Sequence, residues 1–155
     1  MKDSKIEKLR KRTFADTVGC IVMAIVAFGI AILEFWEYFT ANEALPEIFA
    51  DGVYAMVACI ALVIVSLIFL DLRKNGKPFS KAIILKMRIL SVLIMIGAFL
   101  PNIFAGLSTL SNGNTMVIGL NPKTLLIAML GVIIGILSEV FVYGYELQDD
   151  MDLIA

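Results

Sequence analysis

Basic residues are confined to two short parts of this chain, and this confinement is the feature that most constrains the fold. Twelve of the 13 Lys and Arg residues lie in Lys2 to Arg12 or in Arg73 to Arg88. Long apolar stretches fill the sequence between and after these clusters. In multi-span membrane proteins, cytoplasmic loops retain Lys and Arg, while translocated loops are depleted of them. The pattern therefore predicts a membrane protein with both clusters on the cytoplasmic side.

The composition supports the same conclusion. The 155 residues are 60% hydrophobic and 17% charged, whereas soluble domains are about 45–50% apolar and about 25% charged. A soluble domain of this length cannot enclose so much apolar surface, so lipid must cover the excess. The formal net charge of −1 conceals an acidic C-terminal end. The acidic residues there are Glu146, Asp149, Asp150 and Asp152.

Four apolar segments are long enough to cross a bilayer as helices. A helix rises about 1.5 Å per residue, so about 20 residues cross the roughly 30 Å hydrocarbon core. The predicted spans cover about residues 15–38, 52–71, 83–107 and 122–145. Pro101 lies inside the third span, where we expect a kink or an early helix end. The prediction is an all-α, integral membrane four-helix bundle with N and C termini cytoplasmic, formed as a single transmembrane domain over residues 1–155.

The segments at the two ends of the chain carry opposite charge. A basic amphipathic N-terminal segment, residues 1–13, is expected to lie on anionic lipid as a short interfacial helix. Direct nucleic-acid binding is the competing interpretation, but the adjacent bilayer makes lipid the simpler ligand, so no nucleic acid is predicted. The acidic C-terminal tail, residues 146–155, can form a small amphipathic helix. Two interpretations of this tail remain open, namely docking on the protein's own basic loop and docking of a basic cytoplasmic partner.

The fourth span carries a face of small residues that leads to a carboxylate. The members of this face recur at helical spacing and are Ala128, Gly131, Gly135 and Ser138. Two glycines four residues apart allow another helix to approach closely, so the face predicts packing inside the bundle, with homo-oligomer formation as the alternative. Glu139 lies on the same face, and an intramembrane carboxylate is a functional candidate. It either pairs with Arg88 or Lys86, or serves a specific interaction, gating or proton-coupled transport.

The side chains that common enzymatic sites need are missing or scattered. The chain has no His, which is the commonest metal ligand and the usual proton carrier near neutral pH. Cys20 and Cys59 lie in apolar segments without the spacing of a metal or redox pair, so we expect them to pack as small hydrophobes. No nucleophile and base converge in the sequence. We therefore predict a non-enzymatic protein with no metal, no other cofactor and no catalytic residue.

Two short motifs resemble a known family. The first is Gly76-Lys77-Pro78-Phe79, which precedes the third span. The second comprises Glu139-Val140-Phe141, Gly144, Glu146-Leu147-Gln148 and the acidic residues before Leu153-Ile154. Together they resemble the YoaS-like family of small bacterial four-span membrane proteins, which is a family of unknown function. The resemblance implies a location in the bacterial inner membrane and frequent genetic neighbourhood with small helix-turn-helix regulators, and it identifies no catalytic residue.

These observations lead to two functional hypotheses and one predicted surface. The first hypothesis is an inner-membrane protein of multi-pass topology that binds a cytoplasmic partner, such as a small helix-turn-helix regulator, at its inner face. The alternative is a small transporter, channel or immunity-type protein that uses the bundle interior around Glu139 and Asn102. The predicted cytoplasmic partner surface comprises Lys77, Pro78, Phe79, Lys81, Glu146, Leu147, Asp149, Asp150, Asp152 and Leu153.

Overall fold

The computed structural model describes residues 2–41, 46–75, 79–111 and 122–154. Every regular element within these residues is an α-helix. The helices are α1 Lys2–Thr40, α2 Pro46–Asn75, α3 Lys81–Ser111 and α4 Pro122–Ile154. Each of the four is long and apolar enough to cross a membrane. The predicted all-helical class, with four helices of spanning length, is therefore confirmed.

All four helices extend beyond the predicted spans. They contain 39, 30, 31 and 33 residues, so at about 1.5 Å per residue they measure roughly 45–60 Å. The basic N-terminal segment is the beginning of α1, without a break before the apolar part, and the acidic tail is the end of α4. The expected helical tail is thus present. The expected interfacial helix is not a separate element, because the same helix continues into the apolar part.

Helix α3 continues through Pro101, so the expected early helix end is wrong. The helix runs on to Ser111. Proline lacks the amide hydrogen that would bond to the carbonyl four residues earlier, that of Gly97. Apolar helices tolerate this loss where neighbouring helices supply polar groups. The Tyr54 hydroxyl of α2 donates to the carbonyl of Ala98 at 3.5 Å, beside the position that proline leaves without a donor.

Each helix packs against its neighbours in the chain. Backbone contacts join α1 to α2, α2 to α3 and α3 to α4. Within the described residues, no Cα atom of α1 lies within 8 Å of α3 or α4, and the same holds between α2 and α4. The helix backbones therefore form an open row with α1 and α4 at its two edges, and side chains of α2 and α4 meet near one end of the row.

Helix α1 contacts α2 through small side chains that recur every seven residues. Thr17, Ala24 and Ala31 are buried. Seven-residue spacing keeps one seam of a helix facing its partner, and small side chains allow close approach of the two backbones. Large apolar side chains elsewhere on α1, including Ile25 and Leu33, are exposed. These exposed side chains form a surface suited to lipid.

The beginning of α1 and the end of α4 lie at the same end of the row. The guanidinium carbon of Arg73, near the end of α2, lies 5.0 Å from the centroid of the Phe14 ring in α1. An ion pair joins the same end of α2 to the first turns of α3. The ammonium of Lys81, where α3 begins, lies 5.4 Å from the Tyr145 ring of α4. We call this the terminal end of the row.

Candidate functional site

The two short motifs of the sequence meet at the terminal end. Phe79, just before α3, packs edge to face against Phe141 of α4, with ring centroids 5.2 Å apart and an interplanar angle of 62°. Gly144 lies one turn further along α4, and a Cβ at this position would come within 2.7 Å of the Phe79 ring. Any side chain larger than hydrogen would therefore displace that ring. The contact fixes the end of α4 against the beginning of α3.

The small-residue face of α4 packs against α3. The Ser91 hydroxyl of α3 donates to the carbonyl of Gly131 at 2.8 Å. A Cβ on Gly131 would lie 2.8 Å from Cγ of Met95, and a Cβ on Gly135 would lie 2.9 Å from Oγ of Ser91. The absence of a side chain at these two glycines therefore permits the close approach of the helices. Two further members of this face are buried, namely Ala128 and Ser138.

Glu139 forms an ion pair at the perimeter of the row. Nη2 of Arg88 lies 2.8 Å from Oε1 of Glu139, and the two side chains are 53% and 58% exposed, respectively. Arg88 is one of the two basic partners considered from the sequence, and the other, Lys86, pairs with Asp71. The carboxylate is thus neutralised by a cation and is half exposed. This geometry favours a structural ion pair over a proton path through the interior.

A polar cluster joins α2, α3 and α4 at the end of the row opposite the terminal end. Nδ2 of Asn102 donates to Oγ1 of Thr124 at 2.7 Å, and the Tyr54 hydroxyl lies 3.5 Å from the same oxygen. Thr124 is fully buried. Nζ of Lys123 lies 2.5 Å from Oδ1 of Asp51 and 4.6 Å from the centroid of the Tyr54 ring. These contacts let the cluster fasten the first turn of α4 to the two preceding helices.

Glu139 and Asn102, the two residues named in the transporter hypothesis, lie at different heights in the row and have different partners. Asn102 contacts Thr124 in the first turn of α4. Glu139 is 15 residues further along the same helix, which corresponds to about 22 Å. The antiparallel packing of α3 and α4 places one residue near each end of the row. The polar cluster and the carboxylate are therefore separate features.

The last turns of α4 carry exposed acidic side chains. Glu146, Asp149 and Asp150 are exposed, and none of them forms an ion pair or side-chain hydrogen bond with any described residue. Leu147 and Met151 are 65% and 67% exposed and continue the apolar outer face of α4 into this region. We call residues 146–154 of α4 the acidic extension. The described side chains of this amphipathic helix end are exposed, except for Gln148, which is half-buried.

Among the described residues, no basic side chain of the second cluster forms an ion pair with Glu146, Asp149 or Asp150 of the acidic extension. Arg88 and Lys86 form ion pairs with other carboxylates. Arg73 and Lys81 lie over aromatic rings. Docking of the acidic tail on the protein's own basic loop is therefore not observed among the residues that the structure describes. The charge of the acidic extension is left available to another molecule.

Part of the predicted partner surface can be located. Phe79, Lys81 and the first turn of the acidic extension lie together at the terminal end. Lys77 and Pro78 lie outside the described residues, as do the side chains of Asp152 and Leu153. Three residues that make contacts between helices were not predicted from the sequence, namely Tyr54, Thr124 and Gly97. Each is a polar or small residue within an apolar span, and that pattern could have indicated a contact between helices.

Comparison with protein-family models, curated proteins and solved structures finds no match. The resemblance to the YoaS-like family therefore stays a prediction from two short motifs. Within the described ranges, no group of three or more His, Cys, Asp or Glu side chains is arranged to hold a metal ion. Cys20 and Cys59 are free thiols and half-buried.

Proposed function

We propose that this protein is a non-enzymatic, multi-pass protein of the bacterial inner membrane that binds a basic cytoplasmic partner through its acidic extension. Four apolar helices of spanning length support the membrane location. The two basic clusters support an orientation in which the terminal end faces the cytoplasm. The observation that carries the proposal is the set of exposed, unpaired carboxylates on the last turns of α4.

The acidic extension has the properties of a docking helix. Its carboxylates attract a positively charged surface and accelerate encounter with it, because unlike charges steer association. Leu147 and Met151 supply apolar contact area beside those charges. The extension is already helical, so a partner does not have to order it on binding, and that conformational cost is avoided. The contact between Phe79 and Phe141 holds the helix to the rest of the protein.

A small helix-turn-helix regulator is the partner class that this chemistry suits. Such proteins bind DNA through basic surfaces that neutralise phosphates. An acidic helix can cover part of a basic surface of this kind and compete with DNA for it. Binding at the membrane would therefore keep the regulator from its operator. The protein itself needs no contact with nucleic acid in this scheme.

A small transporter, channel or immunity-type protein is the second candidate function. The polar cluster of Tyr54, Asn102 and Thr124 favours it, because buried polar groups in a membrane span often mark a pathway or a binding site. The hydrogen bonds within this cluster give it a competing role in helix packing. Accordingly, loss of a solute-dependent phenotype on substitution of Asn102, without loss of stability, would support this second function.

Affinity capture from detergent-solubilised membranes tests the leading proposal. The bait is the whole chain, in wild-type form and in a form called here the neutralised form, in which Glu146→Gln, Asp149→Asn and Asp150→Asn change the net charge of residues 146–155 from −4 to −1. The matched control is Glu37→Gln with Glu47→Gln, which removes exposed carboxylates from the opposite end. We expect the wild type and the control to retain one basic cytoplasmic protein, and the neutralised form to bind that purified protein roughly tenfold more weakly. Recovery of no cytoplasmic protein, or equal binding by all three forms, would refute the proposal.

A further inference from the structure

The acidic extension has a counterpart of opposite charge on the other edge of the same row. Residues 2–12 at the beginning of α1 contain six basic and two acidic side chains, which is a net charge of +4. Residues 146–155 contain four acidic and no basic side chains, which is a net charge of −4. The two segments therefore carry equal and opposite charge. We call residues 2–12 the basic extension.

Both extensions project from the same end of the row by similar lengths. At the terminal end, Arg73 lies over the ring of Phe14 in α1, and Lys81 lies over the ring of Tyr145 in α4. These two rings are taken as the points from which the extensions project. Helix α1 contains 12 residues before Phe14, and α4 contains nine after Tyr145. At about 1.5 Å per residue these correspond to roughly 18 Å and 14 Å. A basic and an acidic helix end of comparable length thus lie on the same side of the molecule.

The row geometry keeps the two extensions of one chain apart. Helices α1 and α4 are the two edges, and no Cα atom of one lies within 8 Å of the other among the described residues. A second copy placed edge to edge would bring its α1 beside the α4 of the first. The two helices would be antiparallel, as neighbouring helices are throughout the row. The contact would therefore continue the existing packing order and join opposite charges.

We propose that the acidic extension of one copy binds the basic extension of a second copy, and that the two copies associate edge to edge in the membrane. Apolar faces in lipid have no hydrophobic preference for each other over lipid tails. The charges beyond the apolar region therefore select the partner edge. The contact joins two different surfaces, so each copy retains one free edge for a further copy unless the assembly closes.

This contact does not depend on the proposed cytoplasmic partner, although both would use the acidic extension. In one association the acidic extension binds a cytoplasmic protein, and in the other it binds the basic extension of a second copy. Substitutions in residues 2–12 alter contact between copies and leave the acidic extension intact. They therefore separate failure of this inference from failure of the proposed function, which is tested by capture of a soluble protein.

A charge-swap experiment tests the association. Variant A carries Glu146→Lys, Asp149→Lys and Asp150→Lys, which change the net charge of the acidic segment from −4 to +2. Variant B carries Lys2→Glu, Lys5→Glu and Lys8→Glu, which change the basic extension from +4 to −2. Arg10, Lys11 and Arg12 are kept in variant B, because basic residues next to a span set its orientation. In each variant alone both extensions have the same sign, whereas every contact between an A chain and a B chain in a mixture joins opposite signs.

The readout is energy transfer between donor-labelled and acceptor-labelled chains in vesicles of neutral phosphatidylcholine. Neutral lipid is used because anionic lipid would compete for the basic extension. We expect variant A alone and variant B alone to associate roughly tenfold more weakly than the wild type, and a mixture of A and B to recover wild-type association within about threefold. Recovery also shows that both variants are folded. Equal association of all forms, failure of the mixture to recover, or no energy transfer for the wild type in neutral lipid would each overturn the inference.

Discussion

Replacement of Gly97 by Ala is expected to force α2 and α3 apart. A Cβ at this position would lie 2.5 Å and 2.8 Å from the two γ-carbons of Val57, whereas carbon atoms in contact prefer about 3.5–4.0 Å. Valine is branched at Cβ and has one strongly preferred rotamer in a helix, so its side chain cannot turn away. Relief of the overlap therefore requires a helix displacement of about 1 Å. Overpacking of this kind costs about 1–3 kcal/mol of unfolding free energy.

Gly29→Ala is the matched control for Gly97→Ala. No atom lies within 4 Å of the added Cβ at residue 29, so the main effect is the greater helix propensity of Ala, worth about 1 kcal/mol. The difference between the two variants therefore measures the overpacking, about 1–3 kcal/mol. Reversible unfolding in mixed detergent, followed by circular dichroism, gives both free energies. The double variant Gly97→Ala with Val57→Ala lacks the clashing γ-carbons and should recover part of the loss. Equal stabilisation by both glycine substitutions, or no recovery in the double variant, would refute the close contact.

Three further predictions concern the ion pair, the polar cluster and the orientation. Arg88→Gln and Glu139→Gln should be non-additive in unfolding free energy by about 0.2–1 kcal/mol, the range for partly exposed ion pairs; strict additivity would show that the pair contributes nothing. Asn102→Leu removes the donor to a buried hydroxyl and should cost about 0.5–2 kcal/mol, and Thr124→Val should cost less in that background than in the wild type. A Cys introduced at Asp150 should resist a membrane-impermeant thiol reagent in intact cells and react after membrane disruption. Labelling in intact cells would place the acidic extension outside.

Apolar patterning located the four helices but not their ends. A helix needs apolar side chains only along the part that lipid covers. Helical turns beyond that part can carry charged side chains and remain helical. The fourth span and the helical tail after it were predicted as two segments, whereas α4 is one continuous helix from Pro122 to Ile154. Pro101 was the second uncertain helix boundary. Loss of one backbone hydrogen bond suggested a kink or an early helix end, but α3 continues past Pro101 beside hydroxyl groups of Tyr54 in α2 and Thr124 in α4.

Contacts between helices were predictable only where few partners were available. An ion pair between Glu139 and Arg88 could be predicted because only two basic residues, Arg88 and Lys86, were expected near Glu139 at the same level of the membrane. The cluster of Asn102, Thr124 and Tyr54 was not foreseen, because it requires the relative heights and rotations of three helices. Spacing along one helix carries no information on those quantities. The two family-like motifs were noted as separate strings, and their contact emerged only from the packing of α3 against α4.

The open row lets the protein assemble in the order in which it is synthesised. Among the described residues, α1 makes its backbone contacts with α2 alone, and α2 ends at Asn75, before half of the 155 residues have been made. Contacts between segments that are close in sequence require little loop-closure entropy and form rapidly. Helices α3 and α4 can then be added one at a time to an existing edge. The polar cluster forms last, when the first turn of α4 reaches Tyr54 and Asn102, and it fastens the final helix to a row that is already folded.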